Sequence, residues 1–117
     1  MSIEWISHKG NKILYVKYTG LSPEAMRDQV KSATQTIIDT KSDQNLVLTD
    51  MQECFVDEAF LELSKQQGKL SLPHCSKSAI VGLTGVKKLL LKGVNAFTPK
   101  AREPFDTIEE AKEWLVK

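Results

Sequence analysis

Apolar and polar residues alternate at the start of the chain. Ile3 and Trp5, and then "KILYVKY" over 12–18, repeat with a period of two, the signature of strands that bury one face. Between them, "HKGN" carries Gly10-Asn11, a pair suited to the positive φ of a tight turn, so the pattern predicts an opening β-hairpin. The period then lengthens. In "GLSPEAMRDQVKSATQTIIDT", Met26, Val30, Ala33 and Ile37 recur at helical spacing, Ser22 suits the N-cap, and Pro23 suits the first helical position.

"NLVLT" (45–49) and "SAIVGL" (78–83) are apolar without alternation, as expected of strands covered on both faces by helices, and two of them suggest a parallel sheet. Between them Ala59, Phe60, Leu63 and Leu70 can line a second helix, with Gly68 either ending it or weakening its last turn. "TGVKKLLLKGVNAF" (84–97) puts Val86, Leu89, Leu90, Val94 and Phe97 on one helical face and Lys87, Lys88 and Lys92 mostly away from it. In "FDTIEEAKEWLVK", Thr107 and Glu110 have the spacing of a capping box, and Ile108, Ala111, Trp114 and Leu115 form the apolar stripe. A segment at 101–105 reads as a last edge strand. The order β-β-α-β-α-β-α-β-α predicts an α/β fold: a mixed sheet with an N-terminal hairpin followed by βα units, and helices on the sheet faces.

Composition narrows the function classes. A chain of 117 residues supports one core, hence one domain over 1–117. Sixteen basic against fifteen acidic residues leave +1, too little field for nonspecific attraction to DNA, and no nucleic-acid partner is expected. "MSIEWISHKG" lacks the apolar run of a secretory signal, and no stretch of about eighteen apolar residues occurs, so a cytoplasmic, non-transmembrane protein is expected. Cys54 and Cys75 lie far apart without CxxC spacing and read as reduced thiols.

The stretches "ILYVKYTGLSPEAM", "LVLTDMQECFVDEAF", "SAIVGLTGVKKLLLKGVNAF" and "PFDTIEEAKEWLV" together resemble the STAS domain, the SpoIIAA-like fold of anti-sigma-factor antagonists. More closely, the chain is similar to small stand-alone bacterial proteins of the STAS/Sec14-like type. The similarity is one of pattern and order. In signalling STAS domains an apolar-Asp-Ser-Ser-Gly turn leads into a helix whose N-terminus carries a phosphorylatable serine. Here Val56 and Asp57 keep the apolar residue and the acid, Glu58 and Ala59 stand at the two serine positions, and Phe60 replaces the glycine. No hydroxyl remains to accept phosphate there. One reading makes Asp57 the helix cap and Glu58 a first-turn acid; another gives Glu58 the permanent negative charge that phosphate supplies in the family.

"GLTGVKK" (82–88) joins a buried strand to a helix N-terminus, where α/β sheets bind ligands and free N–H groups hold anions, although it matches neither GxxxxGK[ST] nor GxGxxG. Thr84 and Gly85 serve equally well as cap and turn. Asp50, at its strand end, would border one crevice with Asp57 and Thr84 if it faces this loop. Lys87, Lys88, Lys92, Lys100 and Arg102 form a basic face, solvated or used for interaction. His8, His74, Cys54 and Cys75 lack metal-site spacing, no cofactor is implied, and no nucleophile elbow or HExxH appears, so no enzyme is expected.

The leading expectation is a noncatalytic regulatory or protein-interaction domain, with Asp50, Asp57, Glu58, Thr84, Gly85, Lys87 and Lys88 as candidate binding residues. The alternative implied by the resemblance is a small-molecule or lipid-binding module, its apolar pocket walled by Leu89–Leu91, Phe97 and the "LSLP" loop (70–73). An enzyme working from Asp50 at the "GLTG" rim comes third. The partner is accordingly a protein or a small apolar or anionic ligand, and an edge strand would admit a homodimer.

Overall fold

The structure is a computed structural model that describes residues 2–83 and 102–117. β1 (Ile3–His8) and β2 (Asn11–Lys17) pair antiparallel with His8 opposite Asn11, which leaves Lys9 and Gly10 to turn the chain at φ 50° and 80°. Both residues of such a two-residue turn need positive φ. The turn is therefore one residue earlier than Gly10-Asn11: Asn11 opens β2, and its Nδ2 donates to the Lys9 carbonyl at 3.2 Å.

α1 (Pro23–Asp39) starts where Ser22 accepts the Ala25 amide and Pro23 fills the first position, and it buries Met26, Val30, Ala33 and Ile37. β3 (Asn45–Asp50) follows. α2 (Glu58–Ser71) runs through Gly68 and passes into a 3-10 turn over Leu72–His74, so "LSLP" is helical rather than a loop. Gly68 is buried there, and its carbonyl accepts the Leu72 amide. β4 (Cys75–Val81) begins ahead of its apolar run because Cys75 already pairs with Asn45. β5 (Glu103–Phe105) precedes α3 (Ile108–Leu115), whose N-cap Thr107 accepts the Glu110 amide at 3.2 Å.

Among the described residues the five strands lie in the order β1-β2-β3-β4-β5, parallel except for the first pair. Successive side chains point to opposite faces and sort the core into two layers. Leu14, Val16, Val47 and Ile80 pack with α1 and α2; Ile13, Leu48, Ala79 and Val81 pack with α3. Wholly buried residues such as Ile13, Leu14 and Leu48 each contribute roughly 1.5–3 kcal/mol. The last helix is fastened twice. Lys77 Nζ donates to the Trp114 and Lys117 carbonyls at its C-terminal end, and the Glu113 carboxylate meets His8 at 3.1 Å and Lys9 at 2.6 Å in the hairpin. The hydrogen bond from Lys9, then that with His8, holds the Glu113 carboxyl below the usual carboxylate range.

The expected helix over 84–97, with Thr84, Gly85, Lys87, Lys88, Leu89–Leu91, Lys92 and Phe97, lies outside the described residues, as does Lys100. Arg102 departs from the solvated basic face expected of it. Ala79 pairs with Glu103 and Val81 with Phe105, so Arg102, one position earlier, belongs to the face covered by α1 and α2, where it lines a cavity.

Candidate functional site

The carboxyl ends of β3 and β4 form one rim, and the β3–α2 loop over 51–57 is built onto it. Asp50 ends β3 almost wholly buried, its Oδ1 accepting the Gln52 amide at 3.0 Å and its Oδ2 accepting the Tyr15 hydroxyl at 2.6 Å. The first bond is an Asx turn that bends the chain out of the strand. Burial, followed by the hydrogen bond and charge of Asp50, pushes the Tyr15 phenol well above its ordinary pKa. Beside it, Gly82 takes φ 86° and brings the end of β4 against Met51 and Gln52 so closely that a Cβ would stand 2.6 Å from the Met51 carbonyl carbon.

Further bonds fix the remainder of the loop. Thr19 Oγ1 donates to the Gln52 carbonyl at 2.8 Å, and the Cys54 thiol lies 3.2 Å from the Met51 carbonyl. Asp57 caps α2 by accepting the Phe60 amide at 2.8 Å, and its second oxygen lies 3.7 Å from Arg27 of α1. Met51 is buried, while Cys54 and Val56 pack partly against the core. Phe55, between those last two, is 72 % exposed. Glu53, held at φ 53°, and Glu58, the first residue of α2, are exposed near it.

The structure thus gathers Asp57 and Glu58 at one helix start and sends Asp50 elsewhere. Asp50 bonds Tyr15 on the α3 side of the sheet, whereas Asp57 bonds Arg27 on the α1 side. Thr84, Gly85, Lys87 and Lys88 are outside the described residues. Phe55 is not distinguished by sequence alone, since an apolar residue beside a strand reads as core. Its signal was positional: it lies between Glu53 and Asp57 in a turn. Neither cysteine is in a disulfide, and no group of three or more His, Cys, Asp or Glu that could hold a metal occurs among the described residues. Nor is any helix among them long and apolar enough to cross a membrane.

No protein-family model and no curated protein sequence matches the chain. A solved structure does. The crystal structure of an uncharacterised DUF3478-family protein with a SpoIIAA-like fold, from Shewanella loihica PV-4, aligns with a TM-score of 0.75 over 97% of this chain and 91% of that one. The two sequences are 19% identical. The chain has a SpoIIAA-like fold. Glu58 and Ala59 open α2, and the exposed Phe55 lies three residues before that helix.

Proposed function

We propose that this protein is a noncatalytic interaction module that engages a partner protein through the β3–α2 loop. The observation that carries the reading is the exposed Phe55 ring in a loop secured on both sides. Burying a phenylalanine contributes roughly 1.5–3 kcal/mol, and rigid aromatic anchors that lose little freedom on binding dominate interface energies. Glu53, Asp57 and Glu58 lie within three residues of Phe55 along the chain, an acidic setting that favours a partner with an apolar socket and a basic rim. Glu58 carries fixed charge there, so engagement needs no phosphorylation step.

The wall expected of a lipid-binding module, Leu89–Leu91 and Phe97, lies outside the described residues; among the described ones, a cavity of about 40 Å³ lies beneath α1 and α2, room for roughly three water-sized atoms.

A photo-crosslinking amino acid placed at Phe55, and separately at Trp5, tests the proposal in cells. A discrete protein adduct from position 55, absent from position 5 and weakened by Glu58→Gln, is the expected result. Equal labelling from both positions, or no adduct at 55, would remove the loop as the interaction site.

A further inference from the structure

β1 is one edge of the sheet, and its ends reveal which of its backbone groups face outward. The Lys17 amide donates to the Ser2 carbonyl at 2.8 Å, and His8 stands opposite Asn11 across the two-residue turn. Bonded and non-bonded pairs alternate along an antiparallel ladder, so Ser2, Glu4, Ile6 and His8 direct their backbone groups to β2. Those of Ile3, Trp5 and Ser7 point away from the sheet, with no hydrogen-bond partner among the described residues. Open edges are usually blunted by brevity, proline, lysine or a bulge. β5, the other edge among the described residues, is three residues long and carries Pro104. β1 has none of these devices. Its six residues run in unbroken register without proline or lysine, and Trp5, 43% exposed, stands in the middle.

A second copy of this chain fits that edge. Outward residues must meet outward residues, so an antiparallel twofold pairing centres on a residue rather than between two. Centred on Glu4 it opposes two like charges, and centred on Trp5 it leaves the two glutamates as diagonal neighbours on one face, an unfavourable pair in either case. Centred on Ser7 it sets the turn residue Lys9 against Trp5 and shortens the ladder. Centred on Ile6 it opposes Ile6 to Ile6, Trp5 to the small Ser7, and Glu4 to His8 beside Lys9, the two groups that already attract the Glu113 carboxylate. We propose that the chain forms a twofold dimer in which β1 pairs antiparallel with β1 of a second copy about Ile6, joining the two sheets into one. Trp5 and Ser7 of each copy exchange backbone hydrogen bonds with Ser7 and Trp5 of the other. The dimer uses none of the β3–α2 loop, and a crosslinker at position 5 would join two identical chains, a product distinct in mass from the partner adduct at position 55.

Sedimentation of the full chain across a concentration series tests the dimer, with a reversible shift from one chain mass to two as the expected result. Ser7→Pro removes an outward amide and leaves the β1–β2 bonds in place, so it should keep the far-UV circular dichroism of the parent chain and weaken dimerisation about tenfold. Glu4→Lys, which sets a cation against His8 and Lys9, should weaken it to a similar degree, about tenfold. The register has its own readout. Two thiols from Ile6→Cys meet across the axis in a non-hydrogen-bonded pair, where Cα atoms lie about 4.5 Å apart, and mild oxidation should yield a covalent dimer that neither the parent nor Trp5→Cys forms. A monomer at every concentration, a dimer of unchanged affinity in folded Ser7→Pro, or a covalent dimer from Trp5→Cys in place of Ile6→Cys would each overturn the proposal.

Discussion

At Gly82 two constraints coincide: a φ of 86° and the Met51–Gln52 backbone pressed against the position a side chain would occupy. An alanine there meets the left-handed penalty of about 1–2 kcal/mol and an overpacking penalty of about 1–3 kcal/mol. Gly82→Ala should therefore lose about 2–5 kcal/mol in urea denaturation. A loss within about 0.5 kcal/mol would show that the β4 end moves away from the loop without difficulty. Gly10, which also has positive φ, meets no atom within 4 Å of an added Cβ, so the cost there is conformational alone.

At the scale of elements, the β3–α2 junction depends on its cap. Asp57 accepts the Phe60 amide, and its pairing with Arg27 is partly solvent-exposed and adds little. Asp57→Ala should cost about 1 kcal/mol, whereas Asp57→Asn should retain most of the stability because an amide oxygen also accepts at an N-cap. Chemical denaturation of the two variants decides it; equal losses would transfer the effect from the cap to the ion pair. Elements with local signals were legible in the sequence. Ser22 before Pro23 marked the start of α1, Thr107 with Glu110 marked α3, and the alternation over 12–18 marked β2. The site was less so, for physical reasons. Which way Arg102 points depends on the register of β5 against β4, and the exposure of Phe55 depends on Cys54 and Val56 taking the inward positions. Neither is a property of neighbouring residues in the sequence.

Across the whole molecule, a tyrosine sits in each layer. Tyr18 packs in the α1 and α2 core, and Tyr15 borders the α3 core. Burial raises the pKa of both phenols; the Asp50 hydrogen bond and charge add to the effect at Tyr15, while the charge of Arg102 opposes it at Tyr18. The unfolded chain releases these protons near pH 10, and the folded chain retains them. Stability from both phenols is thus complete below about pH 10 and declines as pH rises beyond it. Melting temperatures from about pH 8 to about pH 11 should show that decline, and Tyr15→Phe should make it shallower. A slope unchanged by Tyr15→Phe would mean that this phenol titrates equally in the folded and unfolded chains.

Glu113 reaches back to His8 and Lys9 across a separation of 105 and 104 residues, whereas among the described residues each strand pairs with the strand before it. Strand pairing can thus advance from one neighbour to the next, but the clasp between the last helix and the hairpin turn closes a very long loop, whose entropic cost grows as the logarithm of its length. That closure becomes favourable only after the sheet has brought its two sides into place. Among the described elements α3 is therefore the one to expect last in folding, latching an assembled sheet rather than nucleating it.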